Sequence, residues 1–250
     1  MPGPLITAAI MTIGNEIVSG QTHDTNMHYI AGNLSQVGID LMEARVVRDD
    51  PDQIIDYLRE LKEKYHHVFT TGGIGPTHDD ITTACVARAL NLKLIMHEQA
   101  KRMLREFYGD KELTNARLKM AQVPAGARLI PNHISGAPGY SIANIHVLAG
   151  VPKIMAVMLQ NLMPELTKGE KTLSKTIIAL TGESKIAPQL EIIQNQVPEV
   201  AIGSYPRYHQ QHGNHCHLVL RTKHPQQLDI VYHALQKMLQ DQGIQTMHHD

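Results

Sequence analysis

The chain has 250 residues, of which 42% are hydrophobic and 19% charged, so it can bury a normal core and wholesale disorder is excluded. This length allows one large domain, or a main domain with a smaller one. Lys and Arg total 23 against 24 Asp and Glu, and the net charge is -1, which gives no electrostatic reason to bind nucleic acid or an anionic membrane. With eight Tyr, two Phe and no Trp, aromatic residues are too scarce for a platform that stacks single-stranded nucleic acid.

The cysteine content and the first apolar run indicate where in the cell the protein is expected to lie. Cys85 and Cys216 lie too far apart in sequence to suggest a disulfide framework, and we expect both to be reduced thiols. The run from Leu5 to Ile13 has no basic segment before it and is too short to span a bilayer. We therefore expect a cytoplasmic protein that is not embedded in a membrane.

Apolar strands alternate with amphipathic helices along the first two-thirds of the chain. This alternation is typical of a mostly parallel sheet with helices on both faces. The predicted strands are 5–13, 39–47 and 67–71, and the helices that follow them are 24–37, 51–61 and 79–90. Further on we expect helices over 98–108 and 114–121, a hairpin over 140–148 that turns at Ala143 and Asn144, and a helix over 152–166.

The remainder of the chain follows a different pattern. Strands and helices are predicted there in the order βαββαβ, which is the order of a small ferredoxin-like α+β domain. We therefore predict two domains, over residues 1–168 and 169–250. The strands are 176–180, 200–205, 217–221 and 244–247, and the helices lie around 186–193 and 228–238.

A glycine-rich loop is predicted between the third strand and the next helix, with the sequence TTGGIGPTHDD at 70–80. Its glycines allow the backbone to approach a ligand closely and to offer amides to an anion. A helix that begins directly afterwards would add its positive amino-terminal dipole. Carboxylates beside such an anion site favour a divalent cation between them and the anion. The alternative is that either Asp only caps the helix. The candidates are Gly72, Gly73, Gly75 and Thr77 for phosphate, and Asp79 and Asp80 for the metal.

Loops that leave the carboxyl ends of parallel strands gather at one edge of the sheet, where ligands bind. The loops after the first two strands would therefore add acidic groups to the glycine loop. So much like charge favours a metal and a phosphorylated ligand, although Asp50, before Pro51, is better explained as a helix cap. The candidates from these loops are Gly14, Asn15, Asp24 and Asn26 for the ligand, Glu16 for the metal and Asp49 for catalysis.

Several strings of the sequence resemble the amino-terminal, molybdopterin-binding-like domain of the competence/damage-inducible protein CinA. The same domain stands at the amino terminus of many eukaryotic FAD synthases, and MogA, MoaB and the gephyrin G domain are similar at greater distance. The resemblance implies a three-layer α/β fold and covers nearly the whole chain. The strings are TIGNEI at 12–17, GQTHDTN at 20–26, TTGGIGPTHDD at 70–80, NAR at 115–117, APG at 137–139, AGVP at 149–152 and GSYP at 203–206.

This resemblance also implies a function. In the relatives, metal-dependent chemistry uses an Asp of the glycine loop and another after the second strand, and these match Asp80 and Asp49. Some CinA-type domains hydrolyse ADP-ribose or related nucleotide diphosphates, and the family implies dimers or trimers. Arg117, in the matching NAR string, is the arginine we expect to bind phosphate. The Thr-Pro-Arg-Asp motif of MogA is replaced here by PTHDD, and we find no deamidase motif.

Three functions remain open from the sequence. The first is a hydrolase of ADP-ribose type that uses Mg²⁺, Mn²⁺ or Co²⁺ to activate water and to neutralise phosphate. The second is a protein that binds molybdopterin or a related pterin and hydrolyses nothing. The third is a metal-responsive module built on His209, His212, His215, Cys216 and His217, whose side chains suit Zn²⁺ or Ni²⁺.

Overall fold

The computed structural model describes residues 5–209 and 213–247, which form two compact units. One unit comprises the described residues through Gly169, and the other comprises those from Glu170 onward. Across the described part of the chain, the helices are all too short or too polar to cross a bilayer.

The larger unit alternates strands and helices as the hydrophobic pattern predicts. In chain order its elements are β1 (Ile6–Ile13), α1 (Asn15–Val18), α2 (Asn26–Gln36), β2 (Ile39–Val47), α3 (Pro51–Lys64), β3 (His67–Thr71), α4 (Thr82–Ala89), β4 (Leu94–Met96), α5 (Glu98–Tyr108), α6 (Asn115–Lys119), β5 (Gln122–Pro124), β6 (Arg128–Ile130), β7 (Gly139–Ile142), β8 (Ile145–Leu148) and α7 (Pro152–Leu162), which is followed by a 3-10 turn over Met163–Glu165.

A six-stranded sheet forms the centre of this unit, in the order β2-β1-β3-β8-β7-β6. The first four strands in that order are parallel, and β7 and β6 pair antiparallel at one end. One face of the sheet buries Leu58 of α3 and Val86 of α4, and the other buries Ile30 of α2 and Leu159 of α7. Because both faces are covered, the inner strands β1, β3 and β8 are almost fully buried, whereas the edge strand β2 is partly exposed. The three-layer α/β class predicted from the sequence is confirmed.

The smaller unit is an antiparallel sheet with two helices. Its elements are β9 (Leu173–Ala179), α8 (Glu183–Gln196), β10 (Ala201–His209), β11 (Gly213–Thr222), α9 (Pro225–Asp241) and β12 (Thr246–Met247). The strand order is β10-β11-β9-β12, and every neighbouring pair is antiparallel. Leu218, Leu220 and Leu235 are completely buried in its core. The predicted βαββαβ order is therefore confirmed.

Two predicted helix bounds are wrong, each for a local reason. The helix after the glycine loop begins at Thr82 and not at Asp79, because the amide of Thr82 is bonded to the carbonyl of Gly73 and residues 77–80 form a separate turn. Helix α7 ends at Leu162, short of residue 166, since Pro164 has no N–H to continue the ladder.

Candidate functional site

The loops that follow β1, β2 and β8 are joined by hydrogen bonds at the carboxyl edge of the parallel strands. The amide of Asn15, after β1, donates to Oδ2 of Asp49, after β2, at 3.0 Å. Nδ2 of Asn26, at the start of α2, donates to the carbonyl of Gly150, after β8, at 2.7 Å. The topology therefore brings together loops that are distant in sequence, as the parallel order predicts.

The glycine loop after β3 reaches the same edge because two of its residues adopt positive φ. The φ angle is +98° at Gly72 and +69° at Gly73, a region that residues with a Cβ rarely occupy. A Cβ at Gly72 would collide with the carbonyl of Ile13 at the end of β1, and one at Gly73 would collide with the Thr82 hydroxyl. That hydroxyl donates to the Gly72 carbonyl at 2.8 Å. Glycine is thus required at both positions for the loop to close against β1.

A small cleft of about 60 Å³ opens between these loops. Four residues predicted to bind ligand or metal line it: Glu16, Asp24, Asn26 and Gly72. Other polar residues in the lining are Thr12, Thr22, His23, Thr25 and Thr71.

Asn26 has a buried oxygen that accepts no hydrogen bond from the described residues. The side chain is 6% exposed, and its Nδ2 donates to the Gly150 carbonyl. Because a carbonyl can only accept, this bond determines which end of the amide is the oxygen. Leaving such an acceptor unpaired costs about 1–3 kcal/mol, so the site favours a donor N–H or O–H from a bound molecule.

Asp24 positions Asn26 in the cleft. Its Oδ1 accepts from the amides of Asn26 at 2.8 Å and Met27 at 3.2 Å, which caps α2. Its Oδ2 accepts from the Thr12 hydroxyl at 2.8 Å, which ties the cap to the end of β1. Both oxygens are therefore engaged within the protein, and direct contact of Asp24 with a ligand stays a prediction.

The two acidic residues of the glycine loop are bonded to the loop itself. Oδ2 of Asp80 lies 2.8 Å from the Thr77 amide and 2.5 Å from its hydroxyl, and Oδ1 of Asp79 lies 2.5 Å from the same hydroxyl. The Thr77 hydrogen bond lowers the pKa of Asp79. The Asp80 carboxylate also packs against Gly75, where a Cβ would meet it at 2.6 Å. The Thr77 amide, expected to bind phosphate, is thus already bonded to a carboxylate.

The predicted metal ligands Glu16, Asp79 and Asp80 do not form a three-carboxylate centre. Over residues 5–209 and 213–247, no three His, Cys, Asp or Glu side chains gather in a way that could hold a metal ion. Glu16 lines the cleft, whereas the other two turn back onto Thr77. The metal-ligand set therefore stays a prediction, and the proposal of pterin binding uses no metal.

Arg117 is predicted to bind phosphate, but in the structure its side chain contacts Glu112 and Tyr108. Its guanidinium donates to the Glu112 carbonyl at 2.6 Å and stacks 3.9 Å from the centre of the Tyr108 ring. Lys119, on the same short helix, instead donates to the Thr77 carbonyl in the glycine loop. The sequence analysis did not single out this lysine, although it lies only two residues after the NAR string.

The histidine-rich segment does not share one face with its cysteine. Cys216 is completely buried in the core of the smaller unit, where burial raises its thiol pKa. His215 and His217 flank it on β11 and point to the opposite face, with ring centroids 5.4 Å apart. Cys216 therefore cannot ligate a metal together with them. His212 and the side chain of His209 lie outside the described residues.

Comparison with known proteins gives the family. A profile described as a probable molybdopterin binding domain matches residues 9–168, and one described as the FAD synthase middle domain matches residues 171–248. The chain belongs to the molybdopterin-binding-domain family. The family match covers β1 and the glycine loop, and thus both sides of the cleft.

Relatives in this family include two archaeal proteins. One from Archaeoglobus fulgidus is 32% identical over 199 residues, which cover 79% of this chain and 85% of the relative. One from Pyrococcus abyssi is 38% identical over 200 residues, which cover 73% of this chain and 79% of the relative. A crystal structure of the protein CinA with unknown function from Thermoplasma acidophilum is 36% identical, covers 64% of this chain and 96% of its own, and has a TM-score of 0.60. The resemblance to CinA-type proteins is confirmed.

Proposed function

We propose that the cleft between the loops after β1, β3 and β8 binds a pterin of the molybdopterin class. The unpaired, buried Oδ1 of Asn26 carries this proposal, since a pterin ring presents amino and ring N–H donors along one edge. The molybdopterin-binding description of the family supports the same ligand class.

The phosphate of such a ligand would lie along the glycine loop. Gly73 is partly exposed there, whereas the amide of the buried Gly72 donates to the Leu148 carbonyl. Lys119 adds a positive charge where it contacts Thr77. The pterin would thus be held at its ring by Asn26 and at its phosphate by the loop. Asp24 and Thr12 act as positioning residues, because they orient Asn26 and α2.

Metal-dependent hydrolysis of ADP-ribose, with Asp80 and Asp49 as the catalytic residues, remains a second candidate. One observation favours it: the Asp79 and Asp80 carboxylates contact a single hydroxyl, and a cation bound there would relieve their repulsion. Mg²⁺ in particular is often held by one or two carboxylates together with the phosphates of its substrate. The assembly into a dimer or trimer and the cytoplasmic location also stay predictions.

A titration with a fluorescent pterin monophosphate tests the proposal. We expect saturable quenching by the full chain and binding weakened at least about tenfold in Asn26→Ala, since one buried acceptor is lost. Asn33→Ala is the matched control, because Asn33 lies on the same helix and bonds only locally, to the Tyr29 carbonyl at 2.8 Å. Equal affinity in the two variants, or no binding at all, would contradict the proposal.

The same preparations test hydrolysis. ADP-ribose is added with Mg²⁺, Mn²⁺ or Co²⁺, and AMP is measured for the wild type and for Asp80→Asn. AMP that forms only with metal and is absent in the variant would establish the hydrolase and displace pterin binding as the main function. Thermal unfolding of each variant shows whether a loss reflects the site or the fold.

A further inference from the structure

A relay of hydrogen bonds that joins Ser141, His146 and His67 lies at the other end of the parallel strands, where β3 and β8 begin. The Ser141 hydroxyl lies 2.9 Å from Nδ1 of His146, and Nε2 of His146 lies 3.0 Å from Nδ1 of His67. Nε2 of His67 in turn lies 3.1 Å from the Thr167 carbonyl. All three side chains are at least nine-tenths buried.

The Thr167 carbonyl determines the donor and the acceptor of every hydrogen bond in this relay. It can only accept, so His67 carries its proton on Nε2 and accepts at Nδ1. His146 must then donate from Nε2, which leaves its Nδ1 as an acceptor for the Ser141 hydroxyl. The result is a hydroxyl bonded to an unprotonated imidazole nitrogen, with the imidazole oriented by a third group. This is the arrangement that activates a nucleophile.

A cation and a cavity adjoin the same hydroxyl. Arg128 on β6, Ser141 on β7 and His146 on β8 are direct register partners across three antiparallel strands, so their side chains share one face of the sheet. Arg128 is about half exposed and forms an ion pair with Glu165. The residues of this hydrogen-bond relay and of the ion pair line a cavity of about 460 Å³.

We propose that Ser141 is the nucleophile of a second active centre, which hydrolyses small carboxylic esters in this cavity. His146 is its base, His67 is a positioning residue, and Arg128 stabilises the negative oxygen that develops on the substrate. The centre shares no residue with the pterin cleft.

The reaction balances without a cofactor. Oγ of Ser141 forms a bond to the acyl carbon, its proton passes to Nδ1 of His146, and the ester C–O bond breaks as that proton moves to the leaving alcohol. Water then gives a proton to His146 and attacks the acyl carbon, the Ser141 C–O bond breaks, and the proton returns to Ser141. The products are one carboxylic acid and one alcohol.

Burial keeps the imidazole of His146 neutral over a wide pH range and also makes it a weak base, so we expect slow turnover that is best seen with an activated ester. Desolvation, together with His67 and Arg128, lowers the pKa of His146 to about 3, and burial also lowers the pKa of His67. The other titratable groups that face the cavity are His66 and Glu165. The rate at which Ser141 reacts should therefore stay level between about pH 5 and pH 8, without the fall near 6.5 that an exposed histidine base gives.

Labelling by an alkyl fluorophosphonate tests the nucleophile directly, because the serine oxygen displaces fluoride and the adduct is located by peptide mass. We expect the adduct on Ser141, its loss in Ser141→Ala and its retention in Ser135→Ala, a matched serine that accepts from Asn132 Nδ2. Hydrolysis of p-nitrophenyl acetate should fall at least about tenfold in Ser141→Ala. No adduct on Ser141, or equal hydrolysis in both variants, would overturn the proposal.

His67 is tested by rescue. His67→Leu should lower kcat at least about tenfold, whereas His67→Gln should retain most of it, because a Gln carbonyl can accept from Nε2 of His146. Equal loss in both variants, with unchanged thermal unfolding, would show that His67 does not act by accepting from Nε2 of His146. The labelling and the pterin titration are separate measurements on the wild-type protein, so failure here is distinguishable from failure of pterin binding.

Discussion

The side-chain amide of Asn26 donates a 2.7 Å hydrogen bond to the carbonyl of Gly150 and so joins the loop after β1 to the loop after β8. These residues are 124 positions apart in the chain. The bond leaves the Asn26 oxygen buried and unpaired beside the cleft, and it explains why the position requires an amide. A carboxylate there could not donate to Gly150, and a leucine could neither donate to it nor accept from a ligand.

Asp24→Ala should weaken both the fold and the cleft. The change removes the cap of α2 and the bond to Thr12, so we expect a loss of about 1–2 kcal/mol in the free energy of unfolding. Pterin affinity should fall as well, because Asn26 is no longer oriented. Urea denaturation and the fluorescence titration measure the two effects. Unchanged stability would contradict the capping role.

Gly72→Ala should destabilise the larger unit by at least about 2 kcal/mol. A Cβ would collide with the Ile13 carbonyl, and φ at this residue is +98°. Gly32→Ala is the matched control, since Gly32 lies in helix α2 with open space around its added Cβ, and we expect a gain of about 0.5–1 kcal/mol there. Urea midpoints measure both changes, and a tolerated alanine at position 72 would mean that the loop need not close against β1.

Asp80→Asn separates the two functional candidates. The amide retains an oxygen that can accept from the Thr77 amide, so the loop should keep its shape while losing a negative charge. If the loop binds the phosphate of a pterin, affinity rises up to about fivefold, because one repulsive charge is removed. If Asp80 serves metal-dependent hydrolysis, AMP formation is lost. Isothermal titration and product analysis on one preparation distinguish these results.

Glu43 should make stability depend on pH in the acid range. The hydrogen bond from the Tyr65 hydroxyl, followed by contacts of Lys64 and Arg45, lowers the pKa of Glu43 from 4.5 to about 2. A lowered folded-state pKa stabilises the fold above the unfolded value, and this stabilisation is lost as the pH falls from about 4.5 to about 2.

The substitution Glu43→Gln tests this pH dependence. The wild type should exceed the variant in urea midpoint at pH 7, and the difference should shrink steadily below pH 4.5. Glu63→Gln is the control, because its carboxylate pairs with the adjacent Lys62 in solvent. A difference between wild type and Glu43→Gln that stays constant down to pH 2 would show that the Glu43 contacts do not form.

Much of the fold could be predicted from local pattern. The hairpin turn at Ala143 was predicted correctly, and this residue adopts a φ of +51°. Asp50 caps α3 by accepting from the amides of Asp52 and Gln53, as its place before Pro51 indicates. Patterns of this kind depend on near neighbours, for which spacing along the chain is enough.

The site was predicted less completely, because a list of acidic residues does not say what each one contacts. Asp79 and Asp80 turn back to Thr77, and Arg117 turns to Tyr108, which residue type alone does not indicate. The relay from Ser141 to His67 was not predicted at all. Its members are 79 and 5 positions from His146 and belong to different strands.

The two-unit organisation and the alternation of strands and helices follow from the local sequence, because they depend on hydrophobic period and turn residues. The glycine requirement at position 72 depends also on the carbonyl of Ile13, which belongs to another strand. The tertiary structure alone decides that the side-chain oxygen of Asn26 is unpaired, which carboxylates are already hydrogen-bonded, and that the Ser141 hydroxyl is bonded to His146. Each of these depends on strand register and on contacts between distant loops, where a shift of one residue reverses the direction of a side chain.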